Sequence, residues 1–184
     1  MIETSRLLLR PQRIGDFESY KAIWVNDPNI GEDVPILPGL TEEQIWDRLL
    51  RWLGHWAIFG YGPLLVVDRQ TGELIGETGV ARFHRGNGPS FDGVPEALWR
   101  IKYTKHGQGL AAEAAHAAFN WFDTQGISAR TVCMIDHWNH ASLKLAGKLG
   151  FKEFSQAVYK GNNVLLLERI IADQAITSGY KRRK

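Results

Sequence analysis

The sequence predicts a mixed α/β (α+β) domain whose elements run β-α-α-β-β-β-α-β-α-β-β around a central sheet of about seven strands. Three observations predict it. Apolar residues switch between helical stripes and short aliphatic or β-branched runs. Clusters of Gly, Pro and Asn punctuate the changes of period. A series of hairpin-like strands precedes one strand–helix–strand crossover, which makes the sheet antiparallel first and parallel around the third long helix.

The elements follow in order. Arg6-Leu7-Leu8-Leu9-Arg10, closed by Pro11, reads as a first strand. Asp16 reads as the N-cap of a helix over residues 16–25, stopped by Asn26-Asp27-Pro28-Asn29, and residues 30–40 read as loop. Thr41 with Gln44 forms a capping box that opens a helix with Ile45, Leu49, Trp52, Leu53 and Trp56 on one stripe. Residues 64–67 and 73–83 make a hairpin, and residues 84–95 form a loop long enough to be functional. A strand over 97–103 leads through His106-Gly107-Gln108-Gly109 into a helix with Ala111, Ala115, Ala118 and Phe122 on one face. Its other face carries Glu113, His116, Asn120 and Asp123. A β-branched strand spans 131–135, and Asn139 caps a helix over 140–149, with Gly150 at its C′ position. Residues 151–160 and 164–171 close the chain as a hairpin that turns at Gly161-Asn162-Asn163.

At 184 residues the chain is long enough for one domain, read as 1–172, followed by a basic tail over 173–184. Seven Trp, eight Phe and five Tyr supply a bulky core. The net charge is +2, and the tail's Lys181-Arg182-Arg183-Lys184 more than accounts for it, leaving a slightly acidic body poorly suited to a specific nucleic-acid partner. No apolar window approaches the roughly 18 residues of a membrane span. The first residues lack a secretory signal and Cys133 is the single cysteine, so a cytoplasmic location is the expectation. Cys133 sits in an apolar strand and reads as a small buried hydrophobe. His55, His84, His116, His137 and His140 show no zinc spacing, so no metal site is expected.

The strongest local signal is a strand, then His106-Gly107-Gln108-Gly109, then a helix. Two glycines at a helix start let backbone N–H groups converge on an anion such as a diphosphate. A plain tight turn that needs positive φ is the alternative. A dinucleotide fingerprint also fits Gly107, Gly109 and Ala112, with Asp136 24 positions further on. The hairpins and helices that precede the glycines oppose it, because such a fingerprint opens a run of βαβ units.

Taken together, His106 to Glu113 and the run from Asn139 through Ser142 and Lys148 to Gly150-Phe151 resemble the GNAT acetyltransferase superfamily. The hairpin Asp68 to Gly76 and the opening strand Thr4 to Arg10 extend the resemblance to about residues 3–171. It is most similar to the branch that contains ribosomal-protein N-terminal acetyltransferases. His106 stands where that branch usually has Arg or Gln.

The resemblance implies a GNAT fold, acetyl-CoA as co-substrate and direct transfer to an amine acceptor, a small molecule or a protein N-terminus. It implies that His106, Gly107, Gln108, Gly109, Leu110 and Ala111 hold the diphosphate. It further implies that Asn139 holds the pantetheine arm, that the backbone N–H near Ile101 receives the thioester oxygen, and that Ser142 meets the sulfur. Glu96 matches the Glu of the branch's V-E-x-G-W-R-type strand and is the candidate base, against a surface carboxylate at the strand edge, and Tyr159 is a second candidate acid. Ser142 and Asn139 also fit a plain helix cap, and Trp99 fits core packing. A non-catalytic acyl-CoA-binding module is the alternative function. The resemblance permits a homodimer, for which the closing hairpin offers an edge.

Overall fold

The computed structural model describes residues 1–24 and 40–171. The end of the first predicted helix, most of the 30–40 loop and the basic tail lie outside the described residues. Among the described residues eight strands form one sheet: β1 (Ile2–Glu3), β2 (Leu7–Arg10), β3 (Leu64–Asp68), β4 (Leu74–Arg82), β5 (Pro95–Ile101), β6 (Arg130–Asp136), β7 (Lys152–Tyr159) and β8 (Asn162–Ile170). The order across the sheet is β1-β2-β3-β4-β5-β6-β8-β7. Every pairing is antiparallel except β5 with β6, the two strands joined by the crossover. The prediction of a mixed sheet holds, and the added strand is the two-residue β1, too short to carry an apolar pattern.

The helices are α1 (Phe17–Lys21), α2 (Glu42–Phe59), α3 (Leu110–Thr124) and α4 (His140–Lys148). α2 and α1 cover one face of the sheet, where Ile45, Leu49 and Trp52 pack with Leu65, Leu74 and Ala81. α3 covers the other, with Ala114, Ala115, Ala118, Phe119 and Phe122 against Leu7, Leu9, Val66 and Ile75. The buried face of α3 is wider than the four residues the pattern picked, because Leu110, Ala114 and Phe119 join it while Ala111 is half-buried. Loop residues 84–94 cover the sheet beyond α2, with Phe91 on Val132, Val164 and Leu166.

Local chemistry explains the boundaries. Thr41 and Gln44 form the reciprocal capping box, and Gly60, at φ 71°, ends α2. α1 begins after Asp16 as predicted but stops at Lys21; the Asp16 carboxylate makes no cap bond to α1 and instead closes a 3₁₀ turn over Ile14–Asp16, accepting from the Arg10 guanidinium at 2.7 and 2.8 Å and from the Arg13 amide. The closing hairpin turns at Lys160-Gly161, both at positive φ, so Asn162 and Asn163 belong to β8 rather than to the turn.

One buried polar cluster ties α1 and α2 to the sheet. Glu77, fully buried on β4, accepts from the Tyr20 hydroxyl at 2.5 Å and from Arg48, whose guanidinium lies over Trp24 and Trp52. Burial, with the neighbouring Glu77 charge, pushes the Tyr20 phenol far above its ordinary range, so it stays a donor. Glu77→Ala leaves the Arg48 charge buried without its partner. We expect the unfolding free energy to drop by about 3–5 kcal/mol, measured by urea titration; a loss within experimental error would show that Arg48 relaxes into water.

Candidate active site

β5 and β6 are in register at Glu96 opposite Val132 and then diverge. The divergence opens a slot of about 210 Å³ through the sheet. Residue parity assigns its two mouths. Ala97, Trp99, Cys133 and Ile135 point to the α3 face, where Asn139 and Ser142 at the start of α4 complete the rim. Glu96, Leu98, Met134 and Asp136 point to the opposite face, beneath Arg85 of the 84–94 loop.

The slot has a polar edge. Lys102 donates its amide to the Ile75 carbonyl at 2.8 Å, and Gly76 lies opposite Ile101. In an antiparallel ladder, alternate residues turn their N–H and C=O outward. The amides of Trp99 and Ile101 therefore face β6 where it has already splayed away. The Ile101 carbonyl, on that same edge, meets His106 Nε2 at 2.9 Å.

Beyond β5, Gly107 and Gly109 adopt φ of 74° and 75°, a region that costs a side chain strain. Gly109 is the N-cap of α3, and the helix's first bond runs from the Glu113 amide to the Gly109 carbonyl at 3.1 Å. The amides before Glu113 thus lack helical partners and carry the positive end of the helix dipole. No atom stands within 4 Å of a Cβ built on Gly107, so its main chain is open to approach. His106 contributes differently: its amide donates to the Tyr103 carbonyl at 2.9 Å and its Nε2 is engaged by the Ile101 carbonyl. Arg6 and Glu113 brace the loop. Arg6 donates to the Gln108 carbonyl at 2.9 Å, and Glu113 takes Thr4, Ser5 and Arg6 at 2.6–3.1 Å. Partial burial raises the Glu113 carboxyl, but these donors outweigh it and hold the group below its ordinary range.

At α4, Asn139 Oδ1 accepts the Ser142 amide at 3.1 Å, the predicted cap. The Ser142 hydroxyl in turn accepts from Trp99 Nε1 at 3.3 Å, across the slot. Trp99 also packs on Phe119 and Phe151, so its core role and its place on the slot coexist.

Glu96 is not the surface carboxylate considered as the alternative. β5 begins at Pro95, two residues earlier than predicted, which puts Glu96 inside the sheet at 4% exposure. Both its oxygens take Arg85, at 2.6 and 2.7 Å, and Arg85 Nη1 donates to the Tyr159 hydroxyl at 3.0 Å. Burial pushes the Glu96 carboxyl up and Arg85 pulls it back, with burial prevailing. Tyr159 thus meets the slot through Arg85. Sequence reasoning missed Arg85; its one signal was its place in a long Gly-rich loop directly before the strand that bears Glu96. Cys133 is buried and burial pushes its thiol well up, which makes it inert as a nucleophile.

Comparison with known proteins agrees with this architecture. A solved Bordetella pertussis chain assigned to the GnaT acetyltransferase family is 37% identical, with a TM-score of 0.82 over 91% of this chain and 98% of its own. RimL, a ribosomal L7/L12 alpha-N-protein acetyltransferase solved in complex with coenzyme A, is 16% identical and shares the fold, with a TM-score of 0.72 over 91% and 96% of the two chains. The uncharacterised protein YkkB of Bacillus subtilis (strain 168) is 26% identical over 161 residues, 86% of this chain and 88% of its own. The family model of the acetyltransferase (GNAT) domain matches residues 6–152, from the arginine that braces the glycine loop to the start of β7, and the chain belongs to that family.

Proposed function

We propose that this protein transfers the acetyl group of acetyl-CoA directly to an amino group, that of a small molecule or of a protein N-terminus. The observation that carries the reading is the slot itself. It lies between β5 and β6, with Trp99 and the start of α4 (Asn139, Ser142) on one face and the buried Glu96 carboxylate on the other. Donor and acceptor reach one point from opposite faces, which turns a bimolecular encounter into a positioned one.

In this reading, main-chain amides from Gly107 to Ala111 hold the diphosphate, and Asn139 meets the pantetheine arm. The Ile101 amide receives the thioester oxygen as it gains charge. The amine nitrogen forms its bond to the carbonyl carbon, the C–S bond breaks, and the sulfur leaves as a thiolate with a conjugate-acid pKa of roughly 8.5. Trp99 occupies a lone pair of the Ser142 oxygen, which frees that hydroxyl's hydrogen for the sulfur. Glu96, whose carboxylate pairs with Arg85 in its buried site, takes the amine proton through water. The bidentate pair uses two of its roughly four acceptor positions.

Weak base assistance suits some amines better than others. An α-amine with pKa near 8 is about a tenth neutral at pH 7, whereas a lysine amine is below a thousandth neutral. The test is incubation with acetyl-CoA and a panel of amines, following CoA release and product mass. We expect CoA release matched by products one acetyl group heavier. Tight CoA binding with no turnover of any amine would favour an acyl-CoA-binding module instead.

A further inference from the structure

Among the described residues the acceptor face of the slot carries three charged side chains: Arg85, Glu96 and Asp136. Two cancel, since Arg85 spends Nε and Nη2 on Glu96 and Nη1 on Tyr159. Asp136 is different. It ends β6 opposite Val164, and strand parity puts its side chain with Val132 and Met134, on the face that Glu96 shares. Its carbonyl accepts the Asn139 amide at 2.9 Å, but among the described residues its carboxylate has neither a hydrogen-bond donor nor an ion-pair partner. The α4 terminus does not need it, because Asn139 already caps that helix.

The neighbouring charges leave this imbalance standing. Asp92 spends its oxygens on the Arg85 and Gly86 amides. Arg100, further along β5, lies over Trp24 and donates to the Ile23 carbonyl. Glu77 is tied to Arg48 and Tyr20.

The geometry points to Asp136 as the residue that receives the acceptor's ammonium group, and so to an acceptor class: amines that arrive as cations with no carboxylate beside them. The inference rests on the reading of this face as the acceptor side. A substrate carboxylate entering here meets an unpaired anion, and the cation on the wall, Arg85, is already engaged. Free α-amino acids are therefore poor acceptors. Peptide N-termini, amino-acid amides and simple alkylamines fit, and Leu98 and Met134 supply apolar walls for their carbon.

The test uses L-alaninamide and L-alanine, which share an α-ammonium and differ in the carboxylate. Their affinities for the CoA-loaded protein are measured by calorimetry, and acetyl transfer is followed in parallel. Alaninamide is expected to bind at least about tenfold more tightly than alanine, the scale of one charge-assisted hydrogen bond. Asp136→Asn should weaken alaninamide about tenfold and leave CoA affinity unchanged, while Asp136→Glu retains most of the preference. Alanine binding as well as its amide, or Asp136→Asn leaving alaninamide unaffected, would overturn the assignment. The binding arm stands apart from catalysis. Tight amide binding that depends on Asp136 without any acetyl product supports the ammonium site and sinks the transfer reading. Acetyl transfer indifferent to Asp136 does the reverse.

Discussion

Gly109→Glu is expected to weaken CoA binding by roughly 100-fold or more, about what the loss of two charge-assisted hydrogen bonds removes. Three effects act together. Gly109 sits at φ 75°, where any Cβ is strained, so the main chain tends to shift away from the arrangement that exposes its amides. The new side chain starts 3.7 Å from Arg6 Nη2, and pairing with it competes with Glu113 for the arginine that holds the Gln108 carbonyl. A carboxylate at the helix start also repels a diphosphate and takes the dipole's favourable potential for itself. Gly109→Ala separates strain from charge and should show a smaller loss. Calorimetric titration with CoA reads both variants, and a thermal melt confirms the fold. Wild-type affinity in Gly109→Glu would remove the glycine loop as the diphosphate site.

What was legible in the sequence is what short-range chemistry decides. The capping box at Thr41, the asparagine cap at residue 139, the glycines that start α3 and the C′ glycine at 150 each satisfy a backbone need within a few residues, and all appear where expected. The mixed sheet was legible because one crossover permits one parallel pair. The site's polar wiring was not. Arg85 meets Glu96 and Tyr159 across 11 and 74 positions, and Trp99 meets Ser142 across 43. Those contacts follow from strand register and from where β5 and β6 part, which no local pattern encodes. Glu96 shows how sharply a boundary matters. With the strand started at residue 97 it reads as a rim carboxylate; with Pro95 as the first strand residue it is buried, and it needs a partner that only the tertiary fold supplies. The Glu77–Tyr20–Arg48 cluster escaped for the same reason, since a lone Glu in an apolar strand gives no sign of which cation covers it.

Glu96→Gln is expected to lower the acetylation rate by roughly 10²–10⁴, the range of lost general-base assistance. The substitution keeps the shape and one of the two hydrogen bonds from Arg85 while removing the charge that accepts a proton. The pH profile carries the sign. Glu96 assists only when ionised, and burial raises its carboxyl above the ordinary glutamate range despite Arg85. Wild-type kcat/KM should therefore fall on acidification at a higher pH than an ordinary carboxylate gives, and the variant should lack that limb. Toward the acceptor's own pKa the deficit should shrink, because an amine already neutral needs no base. Ser142→Ala is the contrast. It removes one hydrogen bond to the leaving sulfur, about 0.5–1.5 kcal/mol, so the rate should drop up to tenfold with little pH trend. It also leaves Trp99 Nε1 without its acceptor, which a small fall in melting temperature should report. Steady-state kinetics from about pH 4 to 9.5, spanning the ordinary glutamate and α-amine pKa values, decide between the two. A Glu96→Gln enzyme with the wild-type rate throughout would leave water alone as the proton's route. The Arg85–Glu96 pair would then be a strut that fixes the 84–94 loop over the slot, and Asp136 would be the one unpaired carboxylate left on the acceptor face among the described residues.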